Sequence, residues 1–363
     1  MQNNKTPDFR VCLTGGGTAG HVTPHFALLP AMRERGWQIF YVGSAGLERK
    51  LVEDQGVEFH TIATGKLRRY ASWQNLVDIF KVGVGCLQAF WLLWRKKPDV
   101  LFSKGGFVAV PVAWAAWVLG IPVISHESDV TPGLANRLIK PVAKKLLYTF
   151  PETGKYLSSN AEQVGTPIRS QLFAGDKSLG RKLCGFTRED LPTILVMGGS
   201  QGAQRINESL LAILPWLLEK ALVVHLTGAG KGINFTHPNY RSFEFVSSEM
   251  KDIYALADFV ISRAGANSLF EILALRKPML LIPLEQGSRG DQVINAASFE
   301  RQGWAKVLRE KDLNPESFKS AIHELMNSGD SMKKAQSAHD STGAADRIIA
   351  TLSEAAGLAA QPS

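Results

Sequence analysis

Two segments far apart in the chain open in the same way. Phe9 to Thr14 is an apolar run followed by Gly15-Gly16-Gly17-Thr18-Ala19-Gly20-His21, with a helix expected from about Pro24, because proline suits a first helical turn. Thr193 to Met197 is a second apolar run, followed by Gly198-Gly199-Ser200-Gln201-Gly202-Ala203. The helix after it carries an apolar stripe at Ile206, Leu210, Ile213 or Leu214, and Leu217. A strand, a glycine loop and a helix begin a βαβ series, so two such beginnings imply an α/β chain with two similar doubly wound domains rather than one large sheet.

Short apolar runs continue each series. Ile39 to Val42, Phe59 to Ile62, Val100 to Phe102 and Val123-Ile124 belong to the first; Val223 to Leu226, Phe259 to Ile261 and Met279 to Ile282 belong to the second. Gly165-Thr166-Pro167-Ile168 reads as the connector, with the switch near Gly165 to Gln171. After Asn327 the chain reads as a polar tail, with a closing helix near Ala344 to Ala355. A length of 363 residues suits two domains of ordinary size.

Cys12, Cys86 and Cys184 are isolated, which argues against a disulfide framework or a Cys-rich zinc site and fits a reducing cytosol. Met1 to Arg10 lacks the apolar core of a signal peptide. Gly105 to Ser125 is uncharged and long enough to span a bilayer, but Gly120-Ile121-Pro122 punctuates it into a helix and a short strand. The net charge of +8 calls for an anionic partner: a nucleotide, a nucleic acid or a membrane surface. Nucleic acid is disfavoured, because the bases flank aromatic helices rather than forming a groove-reading motif.

Orphan backbone N–H groups at a strand-to-helix turn, approached closely where glycine lacks a side chain, favour phosphate or a hydroxyl-rich ligand. Gly15, Gly17 and Gly20 also satisfy G-x-G-x-x-G, but the second strand ends Tyr41-Val42-Gly43-Ser44 without the carboxylate that a dinucleotide ribose requires. His21 ends the first loop, where it either takes a proton from an acceptor hydroxyl or hydrogen-bonds the backbone. In Ser262 to Glu271, the N–H groups of Ala266, Asn267 and Ser268 are suited to a diphosphate. Glu271 is suited to a ribose diol, or to compensating the helix dipole. Arg289, Asp291, Gln292 and Asn295 follow the next strand, where polar groups read sugar hydroxyls or solvate a loop. The chain has no Asp-x-Asp; helix dipoles with Arg169 or Arg263 are expected to meet a diphosphate, so neither a metal nor another cofactor is required.

Trp73, Leu76, Phe80, Val84, Leu87, Trp91 and Trp94 form one helical stripe, and Ile79, Cys86, Phe90 and Leu93 a second. Lys66, Arg68 and Arg69 precede them, Lys81 lies within, and Arg95-Lys96-Lys97 follow. Packing on a sheet needs one stripe; two, bracketed by bases, suggest an anionic membrane surface. The uncharged run Val82 to Trp94 is too short to span a bilayer.

From Val11 to at least Asn295 the chain resembles the bacterial MurG family of N-acetylglucosaminyltransferases. The resemblance is carried by Gly15 to Pro24, His126-Glu127-Ser128-Asp129 continuing to Arg137, Gly165 to Arg169, Gly198 to Ala203, Ser262 to Glu271, and Asp291-Gln292. It implies a GT-B architecture, two Rossmann-like domains facing a cleft. These would be residues 1–168, with the C-terminal helix of about 343–363 returning to them, and residues 169–342. It implies inverting transfer of GlcNAc from UDP-GlcNAc to undecaprenyl-diphosphate-MurNAc-pentapeptide (lipid I), giving lipid II for peptidoglycan at the cytoplasmic face of the cell membrane.

By motif position, His21 and Glu271 would be catalytic residues, with Glu271 also at the ribose and Val246 at the uracil. Arg169, Ser200, Ala266, Asn267, Ser268 and Gln292 would hold the diphosphate or GlcNAc, together with Thr18, Gly20 and Asn136. The loop Gly16, Gly17, Thr18, Ala19 and His21 would face the acceptor, and Trp73, Leu76, Phe80 and Trp91 the membrane. The chain departs from the common family pattern at Ser128-Asp129, often Gln-Asn, and at Asp291, often Gln. A carboxylate only accepts, so Asp291 cannot make every contact of an amide. Competing readings keep the fold and change the chemistry: a diacylglycerol acceptor, a UDP-GlcNAc epimerase, or a non-enzymatic membrane scaffold that binds the UDP-sugar.

Overall fold

In the computed structural model, residues 9–65, 73–198, 203–285, 290–340 and 343–358 are described. The chain divides into two compact units, residues 1–169 with 343–363, and residues 170–342.

The described strands of the first unit are β1 (Arg10–Thr14), β2 (Gln38–Gly43), β3 (Glu58–Thr61), β4 (Val100–Ser103), β5 (Val123–Glu127), β6 (Lys145–Tyr148) and β7 (Ala161–Gln163). They pair in parallel in the order β3-β2-β1-β4-β5-β6-β7. Both faces are covered, which is why the central strands are continuously apolar rather than alternating. Val11 and Leu13 point to one face with Phe102, Ile124 and Leu147. Cys12 points to the other with Leu101, Val123 and Leu146, as the two-residue repeat of a strand requires.

The helix Ala344–Ala355 covers the first face through Ile348, Ile349 and Leu352. Its ends are tied down by polar contacts: the Arg347 guanidinium donates to the Val164 carbonyl, and Lys144 Nζ donates to the Ala355 carbonyl at 2.9 Å. The second face is covered by Ala89 and Leu93 of the helix Trp73–Lys96 and by Val112, Ala113 and Ala116 of the helix Ala109–Val118. The uncharged Gly105–Ser125 stretch is therefore a turn, a helix and the central strand β5.

The described strands of the second unit are β8 (Thr193–Met197), β9 (Leu222–Leu226), β10 (Tyr240–Phe243), β11 (Phe259–Ser262), β12 (Met279–Leu281) and β13 (Ala305–Val307). They form a parallel sheet in the order β10-β9-β8-β11-β12-β13. The helix Gln204–Leu217 buries Ile206, Leu210, Ile213, Leu214 and Leu217, the stripe read from the sequence.

The stretch after Asn327 differs from the expected polar tail. Residues Gly329–Ser337 are a helix that buries Met332 and Gln336. The Gln336 amide donates to the carbonyls of Lys277 and Trp304, both at 2.9 Å, so a polar residue serves as an interior staple where a hydropathy pattern shows only polarity.

Candidate functional site

In the first unit the chain order of strands reverses between β1 and β4, the place where an open parallel sheet leaves a crevice beyond its carboxyl edge. The loops after β1, β4 and β5 meet there. Lys104 N–H donates to the Thr14 carbonyl at 3.0 Å, extending the β1–β4 ladder to the loop. Gly17, Gly105 and Gly106 have φ of +90°, +78° and +83°. A Cβ on Gly106 would lie 2.2 Å from the Gly16 carbonyl oxygen, so the two glycine turns approach backbone to backbone. The first loop leads not into one long helix but into a single turn, Ala19–His21, then Thr23–Phe26 and Leu29–Glu34. Its peptide dipoles are correspondingly less aligned than the sequence suggested.

His21 Nδ1 lies 2.9 Å from the Lys104 carbonyl oxygen. A carbonyl only accepts, so Nδ1 carries the proton and Nε2 is the basic nitrogen. Beneath it, Tyr41 donates its hydroxyl to the Gly15 carbonyl at 2.7 Å, and buried His25 is held neutral, its pKa pushed down to about 3 chiefly by burial and then by the Lys104 charge.

The loop after β5 is built around Glu127. Its carboxylate accepts from the N–H groups of Asp129 and Gly133 at 3.0 and 2.8 Å, and from Asn136 Nδ2 at 2.8 Å. Asn136 Oδ1 accepts from the Ser125 hydroxyl at 2.9 Å. Both ends of the buried Asn136 amide are thus engaged below the Gly105 turn, where it shapes the edge from beneath. Arg169 is half-buried at the end of the first unit.

In the second unit, β11 runs through Arg263-Ala264-Gly265 into the helix Ala266–Ala274. Its first turn presents the N–H groups of Ala266, Asn267 and Ser268, the donors a helix start leaves without intrahelical partners. Asn267 and Glu271 are four residues apart on one helix face, and both are half-buried. Gln292 Oε1 accepts from the N–H groups of Ala264 and Leu284, at 3.3 and 3.0 Å, pinning the loops after β11 and β12 together. Its orientation is thereby fixed, with the amide nitrogen left as the end able to donate to a ligand. Val246 is half-buried in the loop after β10. Ser200 and Arg289 lie outside the described residues.

Arg263 departs from expectation. Both it and Glu310 are buried, its guanidinium is paired with the Glu310 carboxylate, and it donates to the Ile282 carbonyl at 3.0 Å. It braces the loop from within and is not placed as a surface cation for a diphosphate.

Residues 11–148 match the glycosyltransferase family 28 N-terminal domain, and residues 193–350 match the family 28 C-terminal domain. The chain belongs to glycosyltransferase family 28. It is 49% identical over 331 residues, 90% of this chain and 93% of the relative, to the UDP-N-acetylglucosamine--N-acetylmuramyl-(pentapeptide) pyrophosphoryl-undecaprenol N-acetylglucosamine transferase of Geobacillus thermodenitrificans. It is 51% identical over 322 residues, 87% of this chain and 90% of the relative, to the protein of the same name from Lachnospira eligens. Among solved structures, Acinetobacter baumannii MurG superposes with a TM-score of 0.72, covering 95% of this chain and 99% of that one at 24% identity. The likeness carries the fold: two Rossmann-like α/β units of the GT-B type.

This family 28 glycosyltransferase has a further surface feature on its first unit. The helix Trp73–Lys96 packs on the sheet through Ala89 and Leu93, and Gly85 lies against the loop after β3, where a Cβ would be 2.1 Å from the Ala63 carbonyl oxygen. Leu93 therefore belongs to the inward face, whereas Val84, Leu87, Phe90, Trp91 and Trp94 are exposed. Trp91 is 57% exposed, with the Arg95 guanidinium 4.6 Å from its ring centre. Trp114, Trp117 and Val118 of the neighbouring helix are also exposed, as are Leu134 and Leu138 of the helix Leu134–Ile139. The side chains of Trp73, Leu76 and Phe80 lie outside the described residues. No helix among the described residues is long and apolar enough to cross a membrane.

The first-unit edge also contains Glu48, Lys104, Gly105 and Gly106, which motif reading passed over. A lysine before two glycines is unremarked in sequence; only the meeting of the loops after β1, β4 and β5 gives it neighbours.

Proposed function

We propose that this chain transfers GlcNAc from UDP-GlcNAc to the 4-hydroxyl of the muramoyl sugar of lipid I, with inversion, releasing UDP and forming lipid II. The observation that carries this is identity near one half, over nine-tenths of the chain, to transferases bearing that activity in their names.

In this reading His21 Nε2 takes the proton of the acceptor hydroxyl as its oxygen attacks the anomeric carbon. The fixed Nδ1–H leaves that nitrogen basic, and the imidazolium formed keeps its hydrogen bond to the Lys104 carbonyl. The N–H groups of Ala266, Asn267 and Ser268 stabilise the negative charge growing on the departing diphosphate, aided by Ser200 and Arg169. Glu271 accepts from the ribose diol, Val246 packs on the uracil, and the Gln292 amide nitrogen donates to a GlcNAc oxygen. Thr18, Gly20 and the loop Gly16 to His21 bind at the acceptor side, supported by Asn136.

The aromatic surface around Trp91, bordered by Lys81, Arg95 and Arg137, seats the enzyme peripherally on the anionic cytoplasmic face of the membrane, where a polyprenyl-linked acceptor resides. An acceptor-swap assay tests the whole reading. Purified full-length protein is expected to release UDP from UDP-GlcNAc with a lipid I analogue and not with diacylglycerol. UDP release with diacylglycerol alone, or epimerised donor in the absence of any lipid, would move the assignment to the corresponding alternative.

A further inference from the structure

Lys104 is only 2% exposed, an expensive place for an ammonium group unless the charge is used. It is also the residue through which the three loops of the first-unit edge are joined. Its N–H is bound to Thr14 of β1, its carbonyl accepts from His21 Nδ1, and its Nζ lies 2.6 Å from His126 Nδ1 and 2.8 Å from Ser128 Oγ. His126 Nε2 is 2.8 Å from the Gly165 carbonyl oxygen, so that nitrogen carries the ring proton and Nδ1 accepts from Lys104.

We propose that Lys104 is a positioning residue for glycosyl transfer: its carbonyl sets the tautomer of His21, and its ammonium fastens the His126–Ser128 segment, so that the base and the loop after β5 are held as one unit. This rests on the reading of His21 as the base. Burial lowers the Lys104 pKa to about 7, against the opposing pull of Glu127 and then Asp129 from β5 and its loop. The other titratable groups facing it are His126 on β5, and His25 with His21 from the segment after the first glycine loop. After burial itself, the lysine charge lowers the pKa of His126 and of His25, so neither ring adds a second positive charge beside it. A purely structural plug at this position would need no charge; an apolar side chain of similar length would fill it.

Lys104→Met retains the length and the backbone carbonyl while removing the ammonium. Wild type, Lys104→Met, Ser128→Ala and the double variant are to be compared as full chains with UDP-GlcNAc and a lipid I analogue, with circular dichroism and thermal melting reporting the folding of each. For Lys104→Met, kcat/KM for the acceptor is expected to fall by about tenfold or more, while KM for UDP-GlcNAc stays within about twofold. The acidic limb of its kcat/KM–pH profile is expected to move, because a charge that bears on the rings of this edge has been removed. Ser128→Ala should shift the same quantities less, and the double variant should be no worse than Lys104→Met, since the serine acts through the lysine.

Acceptor kinetics and a pH limb like those of wild type in Lys104→Met would overturn the proposal, as would additive losses in the double variant. If Lys104→Met does not fold, Ser128→Ala decides: unaltered acceptor kinetics overturn the proposal, and a selective loss with a moved limb supports it. An inactive but folded wild type would sink the transferase reading and this proposal with it, whereas an active wild type with unaffected variants sinks this proposal alone.

Discussion

His21 and Lys104, 83 positions apart in the chain, are joined by a 2.9 Å hydrogen bond from the imidazole Nδ1 to the lysine carbonyl. The contact is the backbone hydrogen bond that was one of the two roles open to His21, and it leaves Nε2 as the basic nitrogen that the proposed proton transfer uses. His21→Ala is therefore expected to lower kcat by roughly 10²–10⁴-fold, the usual contribution of a positioned general base. KM for UDP-GlcNAc should change little. Steady-state kinetics with saturating donor checks this, and a loss below about threefold would remove His21 from the chemistry.

Glu271 lies one helical turn beyond Asn267 on the same face, and its proposed partner is the ribose diol of the donor. Glu271→Ala should raise KM for UDP-GlcNAc by about tenfold to a hundredfold, the cost of losing hydrogen bonds to a charged acceptor. It should also erase the enzyme's preference for UDP-GlcNAc over its 2′-deoxyribose analogue. Unchanged discrimination between the two donors would place the ribose elsewhere.

The Arg263–Glu310 pair is buried on both sides. Arg263→Met leaves the Glu310 carboxylate in the interior without its cation, which costs about 3–5 kcal/mol. Urea denaturation should show that loss. Simultaneous Glu310→Leu should recover much of it, because the stranded charge is gone. Stability equal to wild type in the single variant would mean that the pair contributes nothing.

Buried His25 and His225 have pKa values lowered to about 3 and about 4 by burial, and His126 is lowered well below its usual range, so all three fold in the neutral form. Between the unfolded value near 6.5 and the folded values, the unfolded chain binds more protons, so stability falls with decreasing pH. The expected slope is about 1.4 kcal/mol per pH unit for each histidine fully inside its window. Urea midpoints measured from pH 7 down to 4.5 should decline; a flat profile would contradict the neutral buried assignment.

On the exposed surface, Trp91→Ala with Trp94→Ala should weaken binding to vesicles containing anionic lipid by about tenfold or more, with melting temperature preserved because both rings are outside the core. Added salt should weaken wild-type binding as well, through the surrounding bases. Unaltered vesicle binding by the double variant would remove this face from the membrane.

The two βαβ series were readable because buried parallel strands are short apolar runs and each first turn is written in glycine. Ala161–Gln163 was missed because it is a three-residue polar edge strand, made a strand by pairing with Lys145–Tyr148 rather than by its composition; the short apolar run Leu146-Leu147-Tyr148 of that neighbour was legible and was missed as well. The same limit applies to Gly329–Ser337, where one buried methionine and one stapling glutamine order a segment that reads as polar. At the site, glycine loops and Glu271 stood out in the sequence. Lys104 did not, nor did the pairing of Arg263 with Glu310, because both are defined by partners brought from other strands. The aromatic helix carried its periodicity in the sequence, but which side faces the sheet is shown only by Ala89 and Leu93 packing with Cys12, Phe40 and Leu101.

The most direct test follows the product itself. Full-length protein, UDP-GlcNAc and a lipid I analogue are incubated together, and the lipid product is analysed by mass spectrometry and by NMR of the new glycosidic linkage. One GlcNAc is expected at the muramoyl 4-hydroxyl, with inverted anomeric configuration and one UDP released per disaccharide formed. Retained configuration, or a folded protein that adds no sugar to the lipid, would contradict inverting transfer to lipid I.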